Sequence, residues 1–362
     1  MLKITPNPNT VKHVPAAHGG IFSIKNPDEK IIDFSSNVNP LGCHPGVKKY
    51  LKKQLNQIHV YPDSESTRLR SNLKWFTGLN TSQILIGNGA TELIYNFCSA
   101  FVNKKTKVLI PCPTFSEYEK AVEFSGGKVI SFKTLNLNVD FSKFLTKIPT
   151  KGVVFICNPN NPTGEILSKK NMEKIVKTAE KKSSLVFVDE TFIELVPDSS
   201  PSLVTTLKSY ENLFILRSFT KSFGLAGLRI GYGLGSKNII EVLQRVKIPW
   251  NVNYIAQMAA SAALCYSDFL EKSQQNIKKE YSFLINALSK IDWLSYYPSS
   301  TNFILIKTKI NSKKLQKKLL KKNILVRDCS TFCGLDENYI RIAVKNRIQN
   351  KLLLEALGEI KW

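Results

Sequence analysis

Three short apolar runs of this sequence end in side chains that can take part in catalysis. The turn NPNNPTG carries Asn161, the pair DE begins with Asp189, and the run RSFTK carries Ser218 and Lys221. Each feature alone is weak evidence, because Asn-Pro pairs form turns and a strand-end Asp often caps a helix. If the three runs are neighbouring parallel strands, their ends meet at one edge of a sheet. An amide, a carboxylate, a hydroxyl and an amine would then share one site.

This set of groups matches what pyridoxal phosphate (PLP) requires of a protein. The cofactor needs a lysine amine for a Schiff base, a carboxylate beside its ring nitrogen and a donor to its ring oxygen. Its phosphate needs hydroxyls, an arginine and backbone N–H groups. The run GNGAT at 87–91 is a glycine-rich turn that suits an anion, although such a turn alone is weak evidence. The residues therefore favour a PLP site.

Apolar strand-like runs alternate with helix-like segments through the middle of the chain. This alternation is typical of a mainly parallel sheet with helices on both faces. We predict seven strands, at 83–87, 107–111, 128–132, 152–157, 185–189, 213–217 and 229–234. We predict helices between them at 91–102, 115–125 and 169–182. The expected fold class is therefore α/β.

The two ends of the chain have different patterns. The first 45 or so residues are rich in Pro, Asn and Gly and indicate an arm. After residue 255, helical segments (255–288 and 312–322) and short strands (301–307, 324–327 and 339–344) indicate an α+β module. We expect an arm at 1–45 that packs with the smaller domain, a large PLP-binding domain at 46–255 and a small C-terminal domain at 256–362.

The composition argues against several other classes of protein. The formal net charge is +23, but the lysines are scattered and no basic run alternates with aromatic residues. We therefore interpret the charge as a solvated surface that could attract an anionic substrate, and expect neither nucleic acid nor a membrane as partner. No window reaches the ~20 apolar residues of a membrane span.

The histidines and cysteines narrow the chemistry further. The four histidines all lie in the first 59 residues, which favours lysine, arginine or a cofactor over a histidine-based site. The seven cysteines are dispersed and odd in number, as in a reducing compartment, and no signal peptide is visible, so we expect a cytoplasmic protein. Cys329 and Cys333 are the only close pair, and with no histidine near them no metal site is expected.

The run SFTKSFGLAGLRIGY (218–232), with NPNNPTG and DE upstream, resembles fold-type-I PLP aminotransferases of the histidinol-phosphate aminotransferase branch. The resemblance extends from His18 to the last helix. It implies a PLP enzyme of aminotransferase fold type I, with a mainly parallel seven-stranded sheet in the large domain. It also implies a homodimer with active sites shared between subunits.

The resemblance assigns roles to particular residues. It implies that Lys221 forms the Schiff base, that Asp189 pairs with the ring nitrogen, that Asn161 donates to the ring oxygen and that Phe115 stacks on the ring. The residues expected at the cofactor phosphate are Gly89, Ala90, Thr91, Ser218, Arg229 and, from the neighbouring subunit, Tyr61. From the residues alone, Phe115 could instead be core and Tyr61 a turn residue.

A second set of motifs resembles threonine-phosphate decarboxylases of cobalamin biosynthesis. These motifs are HGG at 18–20, RDCSTFCGL at 327–335, and Phe192 where the aminotransferase branch has tyrosine. The resemblance implies decarboxylation of L-threonine O-3-phosphate. The residues expected at the substrate are His18, Gly19, Gly20, Asn37, Asn161, Arg327 and Arg341. Which arginine binds which anion stays open. Alternatives to a substrate role also remain: residues 18–20 could be only a flexible arm, Arg327 could pair with a carboxylate of the protein, and Arg341 could be solvated.

Two alternatives remain at this stage. The nearer one is an aminotransferase that acts on histidinol phosphate or another amino acid, and serine phosphate is a second possible decarboxylase substrate. The other is a basic nucleic-acid-binding protein with an inactive enzyme fold. The complete set of Lys221, Asp189 and Asn161 argues against the latter.

Overall fold

The computed structural model describes residues 8–197 and 201–360, so the first residues of the predicted arm and the last two of the predicted C-terminal domain lie outside the described residues. The strands are β1 Ile32–Asp33, β2 Ile84–Gly87, β3 Lys107–Cys112, β4 Lys128–Lys133, β5 Val153–Cys157, β6 Leu185–Asp189, β7 Leu213–Ser218, β8 Gly231–Gly235, β9 Leu294–Tyr296, β10 Phe303–Thr308, β11 Ile324–Leu325, β12 Arg327–Asp328 and β13 Tyr339–Ala343.

The helices cover both faces of the larger sheet and build most of the C-terminal part. They are α1 Pro8–Lys12, α2 Pro45–Gln54, α3 Thr67–Thr77, α4 Ala90–Phe101, α5 Glu117–Phe124, α6 Phe141–Lys147, α7 Lys169–Lys181, α8 Phe219–Ser222, α9 Lys237–Val246, α10 Tyr254–Ala263, α11 Ser267–Leu288, α12 Ser312–Leu320 and α13 Arg347–Gly358. Among the described residues, no helix is long and apolar enough to cross a membrane.

The larger sheet has seven strands in the order β2-β8-β7-β6-β5-β3-β4. All seven predicted strands are present, with ends within two residues of the prediction. β3, β4, β5, β6 and β7 run parallel, whereas β8 is antiparallel to both of its neighbours. The predicted mainly parallel sheet is therefore confirmed. About a dozen residues separate β8 from β7. That they reverse the direction of the chain was not predicted, because the path of this segment depends on tertiary packing.

The central strands are apolar along their whole length because both faces of the sheet are covered. β5 and β7 are buried at every position. On one face, α4 places Phe97 against three strand residues, and its ring lies 5.9, 4.9 and 5.3 Å from those of Phe155, Phe187 and Phe214. This aromatic cluster fixes α4, and hence the glycine-rich turn at its start, on the sheet.

The C-terminal part has its own sheet and core. Its four strands are all antiparallel to their neighbours, in the order β12-β13-β10-β9. The arm joins this part through β1, which pairs in parallel with β11 (Ile32 with Ile324), and through Phe34, which lies in the same core. The domain boundaries at residues 45 and 255 stay predictions.

The structure pairs two cysteines that the sequence had left unassigned. Cys112, at the end of β3, is disulfide-bonded to Cys333, although 221 residues separate them. Cys43, Cys98, Cys157, Cys265 and Cys329 are free. This pair was not predicted from the dispersed cysteines of the sequence. The close sequence pair identified above, Cys329 and Cys333, is not bonded, and Cys329 is a buried free cysteine in a small apolar cluster with Leu305 and Phe332.

Replacement of Phe97 by alanine tests the role of the aromatic cluster. Phe97 is fully buried, so we expect Phe97→Ala to lower the free energy of unfolding by about 3–5 kcal/mol. Urea unfolding followed by circular dichroism measures the change. Phe22→Ala is the matched control, because Phe22 is 89% exposed and its loss should change stability by less than about 0.5 kcal/mol. Equal effects of the two substitutions would contradict this account of the core.

Candidate active site

A cavity of about 310 Å³ lies where β5, β6 and β7 end, and the arm and the C-terminal part complete its wall. The three strands are in register there, because Cys157 pairs with Asp189 and Asp189 with Leu216. Twelve of the predicted site residues line the cavity. These are His18, Gly19, Asn37, Ala90, Thr91, Phe115, Asn161, Asp189, Lys221, Arg229, Arg327 and Arg341. Side chains more than 300 residues apart thus meet in one site.

Lys221 is presented by a single helical turn after β7. The turn begins because the Ser218 hydroxyl accepts a hydrogen bond from the Thr220 N–H at 3.2 Å. Burial lowers the pKa of Lys221 to about 8, and the positive charges of Arg341 and Arg229 act in the same direction. The amine is therefore partly neutral near physiological pH and can act as a nucleophile.

Asp189 is a buried carboxylate whose two oxygens are held by different elements. The Tyr118 hydroxyl donates to Oδ2 at 2.7 Å, and the Thr191 N–H donates to Oδ1 at 2.8 Å. Burial raises the pKa of the Asp189 carboxyl, and these hydrogen bonds partly oppose the rise. A buried anion on a cavity wall favours a cationic group opposite to it. A protonated ring nitrogen is such a group.

A cradle for an anion lies at the start of α4. Gly89 has φ +84°, a backbone conformation that residues with a side chain rarely adopt, and a Cβ at this position would lie 2.7 Å from Nη2 of Arg229. Ala90 and Thr91 follow in the first turn of a 12-residue helix, whose N–H groups have no partners within the helix. Helix N–H groups, a hydroxyl and an arginine together suit a phosphate.

Arg341 determines the orientation of Asn161. Its Nη1 donates to Oδ1 of Asn161 and its Nη2 donates to the carbonyl of Ser35 at 2.7 Å. Because the amide oxygen accepts from the arginine, the amide N–H₂ of Asn161 is the end left for a ligand. Burial lowers the pKa of Arg341 to about 10, and its Nε has no partner. The predicted alternative of a solvated Arg341 is wrong, since it is 6% exposed.

Arg327 and Asn37 contribute further unused polar groups. Nη2 of Arg327 donates to the Ala17 carbonyl at 2.6 Å and to the Thr331 hydroxyl at 3.3 Å. In the described part of the chain, no carboxylate forms an ion pair with Arg327. Both side-chain polar atoms of Asn37 are buried without a hydrogen-bond partner. Buried polar groups without partners are costly, so these atoms favour a polar ligand.

Four predicted site residues do not line the cavity. Gly89 lies behind Arg229, and the Gly20 N–H donates to the Ser35 hydroxyl at 2.7 Å. The hydroxyl of Ser218 is fully buried and bonds to that of Thr220 at 2.8 Å. Tyr61 is 78% exposed against Trp250. Its predicted role in the neighbouring subunit stays a prediction.

The structure adds residues that were not predicted from the sequence. Thr220 lines the cavity beside Lys221, and Thr191 has a buried hydroxyl without a partner on the same wall. Tyr118 contacts Asp189 from 71 residues away. A signal existed for Thr220, since it is a hydroxyl next to the reactive lysine. No local pattern links Tyr118 to Asp189.

The site therefore has the parts that PLP requires: a reactive amine, a buried carboxylate, an amide N–H₂ and an anion cradle. The fold and these residues define a PLP-dependent enzyme of aminotransferase fold type I. Residues 29–358 match the model of the family "Aminotransferase class I and II". The chain belongs to this family, and its cofactor is PLP.

Relatives of this chain have two different names. It is 37% identical over 342 residues to "Histidinol-phosphate aminotransferase" of Methanococcus aeolicus, covering 92% of this chain and 91% of the relative. It is 37% identical over 351 residues to "Putative threonine-phosphate decarboxylase" of Caldanaerobacter subterraneus subsp. tengcongensis, covering 96% and 94%. The solved L-threonine-O-3-phosphate decarboxylase of Porphyromonas gingivalis matches with a TM-score of 0.82 and 29% identity, covering 91% and 98%.

The lowered pKa of Lys221 predicts when this amine reacts. In the cofactor-free protein, covalent capture of pyridoxal at Lys221 should rise with pH through about 8 and level off above it. An ordinary lysine would continue to gain neutral amine up to about pH 10.4. Borohydride trapping at each pH, followed by peptide mass spectrometry, measures the labelled fraction.

Two variants serve as controls for this experiment. Lys237→Ala removes an exposed lysine and should leave the profile unchanged, whereas Lys221→Ala should remove the labelled peptide. A midpoint near pH 10 for Lys221 would contradict the proposed effect of burial.

Proposed function

We propose that this enzyme decarboxylates L-threonine O-3-phosphate to (R)-1-aminopropan-2-yl phosphate and carbon dioxide, a step of the aminopropanol branch of cobalamin biosynthesis. One observation carries the proposal. Arg327 and Arg341 are both buried in one cavity, and neither forms an ion pair with a carboxylate among the described residues. Such a pair suits a substrate with two anionic groups. Threonine phosphate has a phosphate and a carboxylate in one molecule, whereas histidinol phosphate has only the phosphate and its transamination would use both arginines only for the second substrate, 2-oxoglutarate.

The wall beside Asn161 also supports decarboxylation. Phe192 is 4% exposed and packs edge-on against Phe303, with ring centroids 5.0 Å apart. The resembling aminotransferases have a tyrosine at this position, and because Phe192 lines the cavity, the phenol that they carry there is missing here. Two relatives or neighbours named as threonine-phosphate decarboxylases, one of them a solved structure, agree with this interpretation.

The proposed mechanism assigns a task to each of these residues. PLP supplies an electron sink for the pair released at Cα. Arg327, Arg341 and Asn37 hold the two anions of the substrate, and so set the angle between the Cα–carboxylate bond and the ring. Asp189 keeps a proton on the ring nitrogen. After carbon dioxide leaves, Lys221 Nζ is the group placed to return a proton to Cα, which gives the amine product.

Transamination of histidinol phosphate is the second candidate. It is favoured by a relative with this name at the same 37% identity. The two reactions differ in the bond that breaks at Cα, which is the bond to the carboxylate in decarboxylation and the bond to hydrogen in transamination. They also differ in the atom that then receives a proton, and both choices depend on the orientation of the bound substrate.

The two candidates differ in a product that can be measured directly. The PLP-loaded enzyme should release carbon dioxide from L-threonine O-3-phosphate without any keto acid, in an amount equal to the amine formed. Lys221→Ala should show no sustained release of carbon dioxide, because it lacks the amine that holds the cofactor between turnovers and returns a proton to Cα. Serine phosphate lacks one methyl group and should react with a kcat/KM lower by about 10–200-fold. Turnover of histidinol phosphate only, and only with 2-oxoglutarate, would contradict the decarboxylase proposal.

We further propose that the enzyme is a cytoplasmic homodimer in which Tyr61 completes the cofactor site of the neighbouring subunit. Tyr61 and Trp250 pack together with a centroid distance of 5.1 Å, and together with Ile58 and Ile248 they are more than half exposed. Clustered exposed apolar side chains often mark an interface. The position of Tyr61 outside its own cavity supports a role across that interface.

Subunit complementation tests this role. Tyr61→Ala and Lys221→Ala homodimers should both be nearly inactive. When the two variants are denatured and refolded together, about half of the dimers should be mixed. Each mixed dimer has one of its two sites complete, so the mixture should regain about a quarter of wild-type activity. Mixing without unfolding is the control. No recovery in verified mixed dimers would show that Tyr61 does not act across the interface.

A further inference from the structure

Glu117 is a buried carboxylate directly behind the wall of the active-site cavity. It is the first residue of α5 and is 5% exposed. The residues around it, Phe115, Ser116 and Tyr118, line the cavity, whereas Glu117 does not. A negative charge therefore lies close to a cavity that is otherwise rich in cations, and no role for it follows from the proposed mechanism.

Both oxygens of Glu117 are occupied. Nε2 of His18 lies 2.6 Å from Oε1, and the Tyr95 hydroxyl donates to Oε2 at 2.9 Å. Burial opposes ionisation of this carboxyl, but the hydrogen bonds from His18 and Tyr95 outweigh it and hold its pKa below the usual range. Glu117 is thus an anion at neutral pH. An ionised carboxylate only accepts hydrogen bonds, so the His18 ring donates its Nε2–H.

His18 stands between this anion and the cavity. Its side chain lines the cavity and is 53% exposed. Among the described residues, His18 contacts the carboxylate of Glu117 and the ring of Phe115, whose centroid is 6.1 Å from that of the His18 ring. A half-exposed side chain with one hydrogen bond owes its orientation to that bond. Glu117 therefore fixes the position of the His18 ring, and the ring in turn covers the carboxylate.

The same short segment is attached to the substrate-side arginine. Arg327 donates to the carbonyl of Ala17, the residue before His18, and the Gly20 N–H binds Ser35. The segment 17–20 is therefore held at three points around the cavity. His18 is the member of this segment whose side chain can meet an anion beside Arg327.

We propose that Glu117 is a positioning residue that fixes His18 at the substrate end of the cavity, and that His18 shields the anionic substrate from the Glu117 carboxylate. This inference rests on the proposed function in one respect, namely that the substrate carries a phosphate. It predicts that the two residues act as one unit. Removal of His18 leaves an uncovered anion beside the cavity, and removal of the Glu117 charge then relieves the repulsion.

A double-mutant cycle tests this unit. For L-threonine O-3-phosphate, we expect His18→Ala to raise KM by about 100-fold and Glu117→Gln by about 10-fold, with kcat changed less than about 3-fold, because binding and not chemistry is affected. The double variant should have a KM lower than that of His18→Ala by several-fold. Additive effects in the cycle would overturn the proposal, as would an unchanged KM in Glu117→Gln.

Control variants separate this role from a structural one. Glu123→Gln removes a carboxylate from the same helix, where it is paired with Lys120 at 3.0 Å on the surface, and should leave KM unchanged. Tyr95→Phe removes the second donor to Glu117 and should give a smaller increase in KM than Glu117→Gln. Thermal unfolding of each variant verifies folding. A loss of kcat in proportion to thermal stability would indicate a structural role and overturn the proposal.

The cycle is informative even if the proposed reaction is wrong. If the wild-type enzyme does not decarboxylate threonine phosphate, the proposed function fails. The four proteins of the cycle (wild type, the two single variants and the double variant) are then titrated with inorganic phosphate by calorimetry. A weaker affinity in His18→Ala with partial recovery in the double variant would still support the pair. Equal phosphate affinity in all four proteins would overturn it.

Discussion

The parallel register of β5, β6 and β7 is the constraint on which the site depends. Cys157, Asp189 and Leu216 lie side by side across three strands, so the segments that follow them begin at the same edge. A slip of one residue would turn Asp189 to the other face of the sheet and away from the cavity. The register is kept by strands whose side chains are buried on both faces, including the aromatic cluster around Phe97. The catalytic geometry is thus fixed by core packing.

The buried arginines of this structure are of two kinds, those paired with a carboxylate and those that are not. Arg217 lies between Glu190 and Glu194, at 2.8 and 3.3 Å, and this network is complete within the protein. Glu194 of this network accepts a hydrogen bond at 2.9 Å from the hydroxyl of Ser222, the residue after Lys221. In contrast, Arg327 and Arg341 donate only to neutral oxygens among the residues that the structure describes. Burial without an opposite charge is unfavourable, and an anionic ligand relieves it. The paired network supports the site, whereas the unpaired arginines are available to a substrate.

The third wall of the cavity comes from segments far from the sheet. The arm at 17–19 covers one side, and β12 and the segment after it bring Arg327 and Phe332 to the other. The Cys112–Cys333 disulfide joins this second segment to the end of β3. Both the arm and the C-terminal part are therefore tied to the large sheet near the cavity. The positions of the cavity-lining residues from the three parts therefore depend on these ties.

The sequence by itself determined the strands of the large sheet, the lysine and the carboxylate. Each of these has a local signal: an apolar run of four to eight residues followed by a polar side chain. Resemblance added the roles of Asn161, Arg229 and Arg341, which no periodicity indicates. The tertiary structure alone decided the direction of β8, the hydrogen bond between Tyr118 and Asp189, the cover of Glu117 by His18 and the pairing of Cys112 with Cys333. The physical reason is the sequence separation over which each feature is determined. Backbone preference and burial pattern are set within about ten residues, whereas contacts between residues 71 to 221 apart exist only after every element between them has packed.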